Sequence, residues 1–153
     1  MFKIGEHIVY PMHGVGIIES IEEKEISGEK QQYYVIKMMI SNMQIMIPAS
    51  KISSSSIRPV TDIMALKQII QIFQHGEPDR LLPWKHRYKV NTNKIKTGNI
   101  QEGAEVVRDL SIMKKEKALN TSEKKMFDNA HAFLMSELKL IKGITEKQLE
   151  VFC

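Results

Sequence analysis

The segment Leu82-Pro83-Trp84-Lys85-His86-Arg87-Tyr88-Lys89 holds the only tryptophan of the chain, with Lys85, Arg87 and Lys89 interleaved around two aromatic rings. An indole projecting from a helix start can act as a wedge or stacking surface at a distorted base step, offsetting part of an unstacking cost of roughly a few kcal/mol. Cations beside it would hold phosphates and gain from counterion release. The same residues allow a second reading, in which Trp84 packs onto a bundle and the cations are merely solvated. The residues of this segment alone leave both open. Its surroundings favour binding: no acid occurs between Asp79 and Glu102, while Arg80, Lys85, Arg87, Lys89, Lys94 and Lys96 supply six cations in seventeen residues. A solvated face usually mixes both signs, so this stripe points to an anion or nucleic-acid ligand.

Other chemistries find little support. The five histidines (7, 13, 75, 86 and 131) show no i, i+4 pair, and Cys153 is the only thiol, so neither a zinc site nor an internal disulfide is expected. Gly14-Val15-Gly16 opens like a dinucleotide fingerprint, but Glu19 stands where a glycine or alanine is needed and the flanks read strand-turn-strand. There is no GxxxxGK[ST] loop and no GxSxG elbow. No nucleophile is paired with a base, so the expectation is a non-enzyme with no cofactor and no small-molecule substrate. Met38, Met39, Met43 and Met46 fall on adjacent predicted strands, where core filling is a commoner role for methionine than a soft interface.

The elements that must position these residues follow from composition and periodicity. The chain has 153 residues, 42% hydrophobic and 26% charged, with formal net charge +4, which suits a globular protein of one or two domains and excludes disordered and fibrous classes. All of the excess charge is C-terminal: residues 1–76 hold seven Lys/Arg against seven Asp/Glu, and 77–153 hold fifteen against eleven. The most apolar stretch, Ile63 to Phe73, is too short and too polar to span a bilayer. Glu6 interrupts any signal-peptide core, so a cytoplasmic location without membrane attachment is expected.

Strand-like runs occupy 7–10, 15–26, 32–40 and 43–48, rich in β-branched and aromatic residues. Turns are expected at Pro11–Gly16, where two glycines permit positive φ, at Ser27–Lys30, and at Ser41-Asn42. A small bent sheet or SH3-like barrel results. The run Ser53–Ser56 with Arg58-Pro59 reads as an inter-domain connection, and the boundary is set near residue 60. Helices are then predicted over 63–75, from Pro83 at the first helical position to about 97 with Gly98 as the stop, over 100–117, over 121–142, and briefly from Thr145. Asn120 with Glu123, and Thr145 with Gln148, have capping-box spacing. The fold class is α+β: a Tudor/SH3-like β-module over 1–60 and an all-α helical bundle over 61–153.

Several stretches resemble the CarD/CdnL family of bacterial RNA polymerase-binding transcription regulators: FKIGEHIVYPMHGVGIIESIEEKEISGEKQQYYVIK, WKHRYK, AEVVRDL and LNTSEKKMFDNAHAFLMSEL. The resemblance spans nearly the whole chain. VYPxHGVG alone would also fit the polymerase-interaction module of transcription-repair coupling factors, whose helicase motors have no room here. The resemblance implies that 1–60 docks on the β-subunit lobe of RNA polymerase by strand addition and that 61–153 contacts promoter double-stranded DNA near the −10 element. The tryptophan matching Trp84 would wedge into the minor groove at the upstream edge of the bubble and prolong the open complex. Arg87, Lys89 and Lys125 match the accompanying cations, and Lys85 and Lys124 join them by proximity. For docking, the resemblance points to basic residues on the hairpin and on a later strand. Lys24 fits the first, and the second falls at Met46, within the segment Met43, Ile45, Met46, Ile47 and Pro48. An RNA- or ribosome-associated module using the same basic helix is the alternative.

Overall fold

The computed structural model describes residues 2–153, which form two compact units, one ending at Val60 and the next beginning at Thr61. In the first, β1 (His7–Tyr10), β2 (Gly14–Ile26), β3 (Glu29–Met38), β4 (Gln44–Pro48) and β5 (Arg58–Pro59) make one antiparallel sheet in the order β4-β3-β2-β1-β5. Between Ile18 and Ser20 the register with β3 slips, leaving Glu19 as an extra residue that bends β2. Before the bulge, β2 lines a core of Ile8, Ile18, Tyr34, Ile36, Met38, Ile47 and Ile57. Beyond it, Ile21–Gln32 is an exposed two-stranded arm.

Local backbone chemistry corrects three expectations in this unit. The arm closes with a two-residue turn, Ser27 (φ 55) and Gly28 (φ 81), rather than a four-residue loop, because two successive positive φ values match the twist of paired strands. Gly14 (φ 90) does turn the chain, in company with Met12 (φ 72). Gly16 serves close packing instead: a Cβ there would stand 2.7 Å from Ile36 Cγ2 and 2.9 Å from Met38 Sδ. The serine run is not a connection. Ala49–Ser54 forms a 3-10 turn, the Ser54 and Ser55 hydroxyls donate to the carbonyls of Lys51 (3.0 Å) and Ile52 (2.6 Å), and Ser56 (φ 64) redirects the chain. Ile57 then enters the core, and β5 pairs Arg58 with Val9 and Pro59 with Ile8.

The second unit contains α1 (Ile63–His75), α2 (Trp84–Lys96), α3 (Ile100–Lys115), α4 (Thr121–Leu138) and α5 (Glu146–Glu150). Helix α3 is central, packing on α1, α2 and α4 through Ala104, Val106, Val107, Leu110 and Met113. Of these, the valine, leucine and methionine side chains each contribute about 1.5–3 kcal/mol when fully buried. Asp62, Asn99 and Asn120 cap α1, α3 and α4 by accepting from Ala65 N, Glu102 N and Glu123 N at 3.0, 3.1 and 2.9 Å. Thr145 and Gln148 complete a reciprocal capping box on α5. Helix α4 stops at Leu138, earlier than expected, where a turn carries Ile141 into the core. Gly76 ends α1 beneath Arg108, whose guanidinium donates to Ile72 O (3.1 Å) and leaves no space for a Cβ. No helix among the described residues is long and apolar enough to cross a membrane.

Candidate nucleic-acid interface

Helix α2 is an unusual bundle member because Asn91 is its only fully buried residue, with Tyr88 and Ile95 resting on the core from partly buried positions. The aromatic one turn after Trp84 therefore faces inward. Pro83 sits one position earlier than expected, at the N-cap in extended backbone (φ −57, ψ 146), and its carbonyl accepts from Arg87 N at 3.0 Å. Lacking an N–H, proline loses nothing at this end. That geometry starts the helix at Trp84 itself, and the indole is 47% exposed. It borders an open depression of about 410 Å³ whose opposite wall is the start of α4: Ala118, Asn120, Thr121, Ser122 and Glu123.

Arg87 also lines this depression, but its guanidinium is turned to Glu123. Its Nε donates to Glu123 Oε2 at 2.6 Å and its Nη2 to Glu123 Oε1 at 2.7 Å, a two-pronged pair in which the arginine side chain is 11% exposed and the glutamate 0%. Glu123 is thereby diverted from the capping box its spacing suggests, and Asn120 alone caps α4. The hydrogen bonds to Glu123 raise the Arg87 pKa above its ordinary value. Removing one member of a dry pair like this leaves a buried charge and destabilises by about 3–5 kcal/mol.

Three of the six cations of the sequence stripe are neutralised by acids from later in the chain. Arg80 Nε donates to Glu116 at 2.8 Å, Arg87 pairs with Glu123, and Lys94 Nζ donates to Glu105 at 3.0 Å. Lys85 stays exposed with its Nζ 6.0 Å from the Trp84 ring centroid. Lys89, Lys124 and Lys125 are exposed and form no ion pair among the described residues. The structure thus brings Trp84 to the start of α4, where Lys124 and Lys125 lie four and five residues after the cap Asn120. Two features escaped the sequence reading. Glu123 and Glu116 partner cations 36 residues away, a register no local signal carries. Leu81 is 93% exposed, in a turn where its backbone N donates to Asp79 Oδ1 at 3.0 Å.

In the first unit β4 pairs only with β3, so it is a sheet edge. Its alternation divides the expected docking residues. Ile47 is in the core and Ile45 packs against it, so those two side chains face inward and only their main chain is at the edge. Met46 (38% exposed) points outward, as does Met43 (58%) in the preceding turn, while Pro48 is half-buried. Lys24 Nζ, from the exposed arm, stands 3.6 Å from Met46 Sδ, placing the two positions side by side. Core filling holds for Met38 alone among the four methionines, since Met39 is exposed as well.

Two family models match the chain, one in each unit. Residues 2–61 match the CarD-like/TRCF RID domain, and residues 68–153 match the CarD C-terminal domain. The chain is 76% identical over 152 residues to the Bacillus subtilis (strain 168) protein named "Putative transcription factor YdeB", covering 99% of both chains. Among solved structures, it is similar to the N-terminal part of CdnL from Myxococcus xanthus, with 40% identity over 39% of this chain and 84% of that one, and a TM-score of 0.34. It is also similar to the N-terminal domain of CarD from the same organism, with 25% identity over 39% of this chain and 79% of that one, and a TM-score of 0.34.

Proposed function

Because the chain belongs to the CarD family of transcription factors, we propose that it bridges RNA polymerase and promoter DNA and stabilises the open complex without performing chemistry itself. The observation that carries this reading is the half-exposed indole of the only tryptophan, set at a helix start with Lys85 beside it and unpaired lysines on α2 and α4. Trp84 enters the minor groove at the upstream edge of the bubble near the −10 element, and Lys85, Lys89, Lys124 and Lys125 hold the phosphates around it. Arg87 reaches a phosphate only by giving up bonds to Glu123. Binding the melted form more tightly than the closed duplex shifts the equilibrium toward melted DNA. In the first unit, the β4 edge, exposed Met43 and Met46, and Lys24 dock on the β-subunit lobe. Main-chain hydrogen bonds there give affinity and the outward side chains give selectivity.

Trp84→Ala is the direct test. Open-complex lifetime, read as decay after competitor challenge, is expected to shorten while recovery of polymerase in a pull-down stays at the wild-type level. An unchanged lifetime removes the wedge, and co-purification of ribosomal RNA in place of polymerase subunits would establish the alternative, an RNA-associated module.

A further inference from the structure

Arg80 and Glu116, and Arg87 and Glu123, are each 36 residues apart, so the segment 80–87 runs alongside 116–123 in the same direction and is fastened at both ends. Trp84 falls between the two fastenings and lines the depression with Ala118, Asn120, Thr121 and Ser122 from the facing segment. The two fastenings differ in character. Arg80 and Glu116 are partly exposed, whereas Arg87 and Glu123 are almost completely excluded from solvent and joined by two short, charge-assisted bonds. A guanidinium so committed has little to offer a phosphate, and a carboxylate directly behind it cancels its charge.

We infer that Arg87 is a positioning residue, not a phosphate ligand: with Glu123 it locks the start of α2 onto the start of α4, so that Trp84 and the lysines Lys124 and Lys125 meet DNA as one rigid surface. Such preorganisation matters for a wedge, because an indole free to change rotamer must be ordered at the moment of insertion. The geometric claim stands by itself, and only its consequence for transcription rests on the function proposed above.

Trp84 is the only tryptophan, so tryptophan fluorescence of the full chain reports on this side chain alone. Arg87→Gln and Glu123→Gln are each expected to lower Trp84 anisotropy and raise its quenching by acrylamide. The double variant should do no more than either single one, as for two members of one interaction. The slope of DNA affinity against salt stays at the wild-type value, and open-complex lifetime falls for both single variants, up to the loss seen for Trp84→Ala. The opposite pattern overturns the inference: wild-type anisotropy in both variants, a slope smaller by about 0.9 in Arg87→Gln, as for one lost phosphate contact, and DNA binding tighter in Glu123→Gln. Arg87→Lys keeps the charge but not the fork, and decides the matter should circular dichroism show Glu123→Gln unfolded. Positioning predicts lowered anisotropy for it, and a phosphate ligand predicts none. If Trp84→Ala leaves the lifetime untouched, the wedge reading fails while anisotropy still answers for the lock.

Discussion

The outward faces of the two units are built on opposite principles. The sheet unit is electrically balanced, with six Lys/Arg and six Asp/Glu up to Val60, and it offers a strand edge flanked by the flexible side chains of Met39, Met43 and Met46. The helical unit carries the whole net charge of +4 and offers one exposed tryptophan set between two arginine-carboxylate pairs, with Lys85 beside it and with Lys89, Lys124 and Lys125 in no ion pair among the described residues. A strand edge already fixes register through its backbone, so adaptable thioethers suffice to fill a protein surface. A duplex presents repeating phosphates and little register, so orientation must come from a stiff feature. Softness is placed where the backbone directs, and stiffness where it does not.

The largest effect is expected at the sheet. Met43→Asp combined with Met46→Asp places two charges at the proposed docking edge and should weaken polymerase capture by about 2 kcal/mol, on the order of thirtyfold. Trp84 fluorescence should stay unchanged, and wild-type capture would show that the edge is not the docking surface. A smaller effect is expected at the lysines. Lys124→Ala and Lys125→Ala should each reduce the dependence of DNA affinity on salt by about one unit of slope at most, with polymerase capture intact. An unaltered slope returns either residue to ordinary solvent exposure. The smallest effect concerns the outer fastening. Hydrogen bonding from Arg80 holds the Glu116 carboxyl below its ordinary pKa of 4.5, so the pair's stabilisation is fully present above that value and lost as pH falls through the lowered one. The difference in Trp84 anisotropy between wild type and Glu116→Gln should therefore be constant from neutral pH down to the ordinary carboxylate range and vanish below it. A difference that persists in acid would mean the fastening is steric.

Much of the architecture was legible because its causes are local. Runs rich in β-branched and aromatic residues mark His7–Tyr10 and the first half of β2, and apolar spacing of three and four marks α1. Asp62, Asn99, Asn120 and Thr145 start helices through side-chain oxygens that reach only two or three residues. Misreadings arose where a local signal had two outcomes. Four serines in a row can form a linker or terminate a 3-10 turn, and the core site for Ile57 and the free edge of β1 selected the second. Alternation along β4 separates Ile45 and Ile47 from Met46, but only the core beneath determines which set turns inward.

By itself the sequence determined the neutral sheet and basic bundle, the family, and Trp84 at the start of a cation-rich helix, because composition, caps and periodicity act over a few residues. Tertiary structure decided which of those cations remain available. A charge stripe is a property of neighbours along the chain, whereas an ion pair is a property of neighbours in space. Folding brought Glu116, Glu123 and Glu105 to Arg80, Arg87 and Lys94 from later in the chain, leaving Lys85 and Lys89 in the open on the indole's own helix.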